Sequence, residues 1–95
     1  MTVKIITERS VKPERQGELA LLLRQLRIRA IQQPGYISGE TLFSVDKPGT
    51  QFVISTWNSL AEWRAWESHP DRLEILKKIE PLLTYAQKIA VCTES

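Results

Sequence analysis

The sequence holds one cysteine and one histidine, and it has no internal repeat, no low-complexity stretch and no linker. A single thiol, Cys92, cannot close an intrachain disulfide, and it has no CxxC neighbour to build a metal site. It reads as a small strand residue. No apolar run approaches membrane-spanning length, and the apolar patch within MTVKIITERS is broken by Lys4, too short for a signal-peptide core. A cytoplasmic protein with no membrane partner is the expectation. The charge is nearly balanced, 13 Lys and Arg against 11 Asp and Glu, so net charge gives no argument for a nucleic-acid partner. With 42% hydrophobic and 25% charged residues, positions 1–95 read as one ordinary globular domain. A chain this short buries a modest share of its surface, which favours subunit association as a source of further core.

What is present is a clear alternation of hydrophobic periods. TVKIIT (2–7) is β-branched, as a strand requires, and VKPE then leads into a helix with Pro13 in its first turn, where the missing N–H costs nothing. Leu19, Leu22, Leu23, Leu26 and Ala30 share one face of that helix, and QQPG ends it. YISGETLFSV (36–45) and QFVISTW (51–57) read as strands joined by a tight Pro-Gly turn in DKPGT. Ser59 and Glu62 then have capping-box spacing, so a helix starts near Leu60. It breaks at His69 before Pro70, and a second segment carries Leu73, Leu76, Ile79 and Leu83, with Pro81 ending or kinking it near Glu80. YAQKIAVC (85–92) returns to a strand. The order β-α-β-β-α-β is the α+β ferredoxin-like arrangement, a four-stranded antiparallel sheet with its helices on one face.

The other face carries apolar residues too. Ile37 and Phe43 fall in one phase of their strand and Tyr36 and Leu42 in the other; Val53 and Trp57 likewise oppose Phe52 and Ile54. Something must cover it. RNA-recognition domains share this topology but set aromatics beside basic residues on the central strands. Here TVKIIT has no aromatic and QFVISTW has no Lys or Arg. A second copy of the sheet is the expected cover, giving a homodimer and no nucleic-acid partner.

PGYISGETL followed by a hairpin and STWNSLAEWRAWESHP resembles the antibiotic biosynthesis monooxygenase family, small dimeric α+β barrel proteins. The likeness runs from about Lys4 to Ile89 and implies the fold and a dimer through the sheet. The family includes cofactor-free oxygenases of quinols and polycyclic phenols, haem-degrading enzymes, and members of unknown role. The haem-degrading branch resembles itself in an Asn ending the first strand, a Trp in the second helix and a ligating His about ten residues further on. Trp66 matches the Trp, but Glu8 stands at the Asn position and Leu76 at the His position. Haem needs an axial ligand, so the resemblance favours the cofactor-free branch, with no metal. Such a protein supplies a dry pocket, a base or donor that favours the phenolate, and orientation.

All three tryptophans and the histidine lie in the stretch TWNSLAEWRAWESHP. Taking Leu60 as the origin of the helical wheel, Trp63 lies about 60° and Trp66 about 120° round, so the row drifts off the core face. On this reading Trp63 and Trp57 belong mainly to the fold, and Trp66 roofs a pocket. Trp66 and His69 are the catalytic candidates, His69 as base or donor at the helix break. Trp66, Tyr36, Arg27 and Glu8 are the candidates for holding the substrate, with Arg27 placed to steer an anionic ring. Two functional classes stay open. One is an oxygenase acting on a small aromatic hydroxyl compound and O2; the other is a non-catalytic dimer that binds a small apolar molecule or serves as a structural module.

Overall fold

The computed structural model describes residues 1–94. Strand β1 (Val3–Ser10) is followed by a 3-10 turn (Pro13–Arg15), helix α1 (Gln16–Ala30), the hairpin β2 (Tyr36–Phe43) and β3 (Thr50–Trp57), and helices α2 (Leu60–Glu67) and α3 (Pro70–Ile79). A second 3-10 turn (Glu80–Leu82) leads to β4 (Lys88–Thr93). The strands form one antiparallel sheet in the order β2-β3-β1-β4, as a ferredoxin-like arrangement requires.

Local chemistry explains the boundaries. In the hairpin turn Gly49 takes a φ of 87° and the Thr50 N–H donates to the Lys47 carbonyl, a turn that places Pro48 and Gly49 at its two central positions. The Ser59 side chain accepts from the Glu62 backbone N–H, the first half of a capping box, while its hydroxyl donates to the Glu62 carboxylate in place of the Ser59 backbone N–H at the start of α2. Pro70 begins α3 as expected. Several expected boundaries move: β1 runs on to Ser10, three residues past Thr7, and β2 ends at Phe43 instead of Val45. The helix expected to follow Pro13 first makes a 3-10 turn, because the Arg15 N–H bonds the Lys12 carbonyl. The last strand begins at Lys88 rather than at Tyr85. Thr84 is already engaged by the carbonyl of Ser10, and the Tyr85 hydroxyl donates to Glu8.

The helices cover one sheet face. Val3 and Ile5 from β1, Trp57 from β3, Ala30 from α1, and Trp63 and Trp66 from α2 form one buried cluster. Val11, Leu19, Ile75, Ile79, Leu82 and Leu83 form a second at the other end. The register assigns Ile6, Ile54, Phe52, Leu42 and Ala90 to the opposite face, with Leu42 about half exposed. A register shift between Tyr36 and Ser38 changes the phase of β2. Tyr36 and Phe43 therefore lie opposite Trp57 and Gln51 on the helix side, not in opposite phases as simple alternation suggests.

Candidate active site

Between α1 and the sheet lies a cavity of about 600 Å³, within the range of small-molecule sites. Side-chain size explains why it exists. On the helix-facing side of the sheet, Thr7, Gly39, Thr41 and Ser55 are too short to reach the leucine stripe of α1, so the two layers separate along its length. Leu19, Leu23, Leu26 and Ala30 line the helix side. Aromatic rings close one end. Trp57 meets Tyr36 edge-on at 5.4 Å between centroids and meets Trp63 at 5.8 Å, and Trp66 completes the wall.

The expected division among the tryptophans does not hold. Trp63 and Trp66 are each 3% exposed, share one cluster and both line the cavity, as does Trp57. The reason is the choice of origin: Leu60 is exposed, so the buried face of α2 is centred between Trp63 and Trp66 instead of on Leu60.

The cavity also brings together groups that the sequence reading passed over. Arg9 and Arg72 line it although they are only 4% and 6% exposed, and among the described residues neither forms a salt bridge. Arg9 Nε donates to the Gln87 side-chain oxygen at 2.8 Å, and an Arg72 guanidinium N–H donates to the Glu67 carbonyl at 2.8 Å. Both acceptors are neutral. Burial, with the charge of Arg72 adding to it, lowers Arg9 to about 10; burial also lowers Arg72, against the opposing pull of Glu67. The Glu67 carboxylate is itself held by Arg64 at 2.9 Å. The Arg72 guanidinium lies over the Trp63 ring, 5.2 Å from its centroid. Trp63 Nε1 and the Gln51 side-chain oxygen are buried without a hydrogen-bond partner, and both residues line the cavity. With Arg24 and Arg27, four arginines border this space, and Glu40, the one acidic residue along it, pairs with Ile54 in the register and so projects toward the opposite face.

Of the sequence-derived candidates, Trp66, Tyr36 and Arg27 meet at the cavity. His69 and Glu8 do not. His69 is the N-cap of α3: its Nδ1 accepts the Asp71 N–H at 3.1 Å, and its ring lies 5.4 Å from that of Trp66. The imidazole of His69 thus has a structural role, satisfying a free backbone N–H at the start of α3, in place of the expected one of base or donor in the pocket. Glu8 is opposite Phe52 and Lys88 on the outer face, because β1 alternates and Thr7 and Arg9 take the inner positions. There its carboxylate accepts from Tyr85 at 2.6 Å. Sequence signals for the missed arginines existed. Arg9 continues the inward phase Val3, Ile5, Thr7, and Arg72 precedes Ile75 and Ile79 by three and seven positions on the buried stripe of α3.

Known proteins agree with this architecture. The chain is 24% identical over 95 residues to Protein SchA of Streptomyces halstedii, an alignment covering 98% of this chain and 25% of that protein. It thus spans about a quarter of the length of that relative. A conserved protein from Methanosarcina mazei superposes with a TM-score of 0.93 at 16% identity, over 100% of this chain and 94% of that one. SnoaB of Streptomyces nogalater, a cofactor-independent oxygenase, superposes with a TM-score of 0.85 at 19% identity, over 99% and 93% of the two chains. At these identities the superpositions speak for the fold alone. The description of the antibiotic biosynthesis monooxygenase family matches residues 2–78, and the chain belongs to that family.

Proposed function

We propose that the protein is an oxygenase that uses O2 on a small aromatic hydroxyl compound without a bound cofactor. The observation that carries this reading is the cavity itself, walled by Trp57, Trp63, Trp66 and Tyr36 and bordered by four arginines. Flat aromatic rings suit such walls, and the surplus positive charge favours the deprotonated, electron-rich form of a bound phenol. The indole N–H of Trp63 is buried without a partner, and a shift of its ring on ligand binding would offer that donor to the phenolate oxygen. The phenolate then passes one electron to O2, the two radicals combine at a ring carbon that carries hydrogen, and the peroxide anion takes back the equivalent of the proton the phenol released. Loss of water from the resulting hydroperoxide gives a quinone, so phenol and O2 become quinone and water. The description of SnoaB as a cofactor-independent oxygenase supports this chemistry by analogy.

Oxygen uptake with a panel of quinols and polycyclic phenols tests it. Uptake should exceed the spontaneous rate and fall sharply in Trp63→Phe, which keeps a ring and loses the donor. His69→Ala should keep the rate, because that ring lies outside the cavity. Binding without uptake across the panel would leave the protein a binding module.

The second sheet face supports a homodimer. Ile6, Phe52, Ile54, Leu42 and Ala90 form an apolar surface of the kind a soluble protein covers by association. Sedimentation at micromolar concentration should give twice the 10.9 kDa chain mass. A monomer at every concentration tested would remove this proposal. The described residues contain no helix long and apolar enough to cross a membrane.

A further inference from the structure

Arg9 and Arg72 present a problem that the hydrocarbon chemistry of the cavity does not solve. A buried cation is costly unless it is paired, yet these two face the same cavity with neutral hydrogen-bond partners only. They also repel each other, since the charge of Arg72 contributes to the lowered proton affinity of Arg9. Gln87 and the Glu67 carbonyl hold the two guanidiniums in place, and Trp63 lies beneath Arg72. The N–H groups not used in these contacts have no carboxylate partner among the described residues. Guanidinium forks match the two oxygens of a carboxylate.

We infer that Arg9 and Arg72 form a binding site for a carboxylate carried by the substrate, so that the cavity selects aromatic hydroxy acids over neutral phenols. The inference rests on the oxygenase reading for the ring and its hydroxyl, and adds the second functional group. Division of labour follows from position. The arginine pair supplies the missing counter-charge site, and the tryptophan wall takes the ring faces. The carboxylate would also fix which ring edge meets O2, because a bidentate contact sets orientation as well as affinity.

Calorimetric titration with an ortho-hydroxynaphthoate and the matching ortho-hydroxynaphthamide tests the inference on the unmodified protein. The two share ring, hydroxyl and shape, and differ in the charge of one group. The acid should bind at least tenfold more tightly than the amide. In Arg9→Gln and in Arg72→Gln that preference should shrink toward unity, the acid losing at least several times more affinity than the amide. Equal binding of acid and amide to the unmodified protein overturns the inference and leaves the oxygenase reading intact. A preference that survives both substitutions also overturns it. A preference that depends on the arginines, in a protein that consumes no oxygen with any phenol, upholds the inference and removes the oxygenase reading. If neither compound binds, the inference falls, and the oxygen-uptake panel alone decides the oxygenase reading. The comparison of ligands on the unmodified protein decides the matter even where a glutamine variant fails to fold.

Discussion

Trp57→Ala is expected to destabilise the folded chain by about 3 to 5 kcal/mol, the cost of a large-to-small change at a buried position. Trp57 is 1% exposed and lies at the end of β3, where three elements converge. Its register partners are Val3 on β1 and Tyr36 on β2, and its ring also meets Trp63 on α2. Truncation therefore removes contacts to both neighbouring strands and to the helix layer together. It also releases Ser55, whose hydroxyl accepts from Trp57 Nε1 at 3.1 Å. Urea denaturation at a fixed protein concentration measures the loss, and Trp57→Phe should restore much of it. A loss below about 1 kcal/mol for the alanine variant would mean that this end of the domain repacks freely, contrary to the behaviour of close-packed interiors.

Arg9→Met should have the opposite sign and raise stability by about 1 to 3 kcal/mol. A depression of the guanidinium from the ordinary arginine range to about 10 corresponds to roughly 3 kcal/mol at about 1.4 kcal/mol per tenfold change in proton affinity. Methionine fills similar space without the charge and relieves Arg72 of a like neighbour, although it leaves the Gln87 side-chain oxygen without its donor. The pH dependence has a definite sign. Below about 10 both folded and unfolded chains hold the proton, and the burial penalty is fully present. Above that value the folded chain releases it first, so the unfolded state binds more protons and wild-type stability rises relative to the variant. The gap between the two proteins should narrow as pH increases past 10. An Arg9→Met protein less stable than wild type at neutral pH would show that this cation supports the fold.

The element order was readable because its signals are local. Capping at Ser59, the Pro-Gly turn at 48 and 49, and proline at 70 act over a few residues, and each operates in the structure as its chemistry requires. The candidate site was harder to read, since cavity membership depends on the separation of layers. Trp66, Tyr36 and Arg27 reach it, whereas His69 is drawn into capping α3 by the backbone N–H of Asp71, a competitor that composition does not reveal. Glu8 shows a different failure. It is adjacent to two inward residues, and one step along a strand reverses the face. The buried arginines went unread because charge is expected at the surface. Strand alternation alone placed Arg9 inside.

Gly39 gives the cavity wall an unusual evolutionary sensitivity. A Cβ built at this position would come within 2.6 Å of the Tyr36 hydroxyl oxygen, so the aromatic wall occupies space that any larger residue would claim. One methyl group, added at this position on the sheet side of the cavity, would displace the phenol ring and redraw the volume available beside Trp57. Substrate range in such a scaffold can therefore drift through a single codon change, with the wall residues, the arginines and the fold all kept.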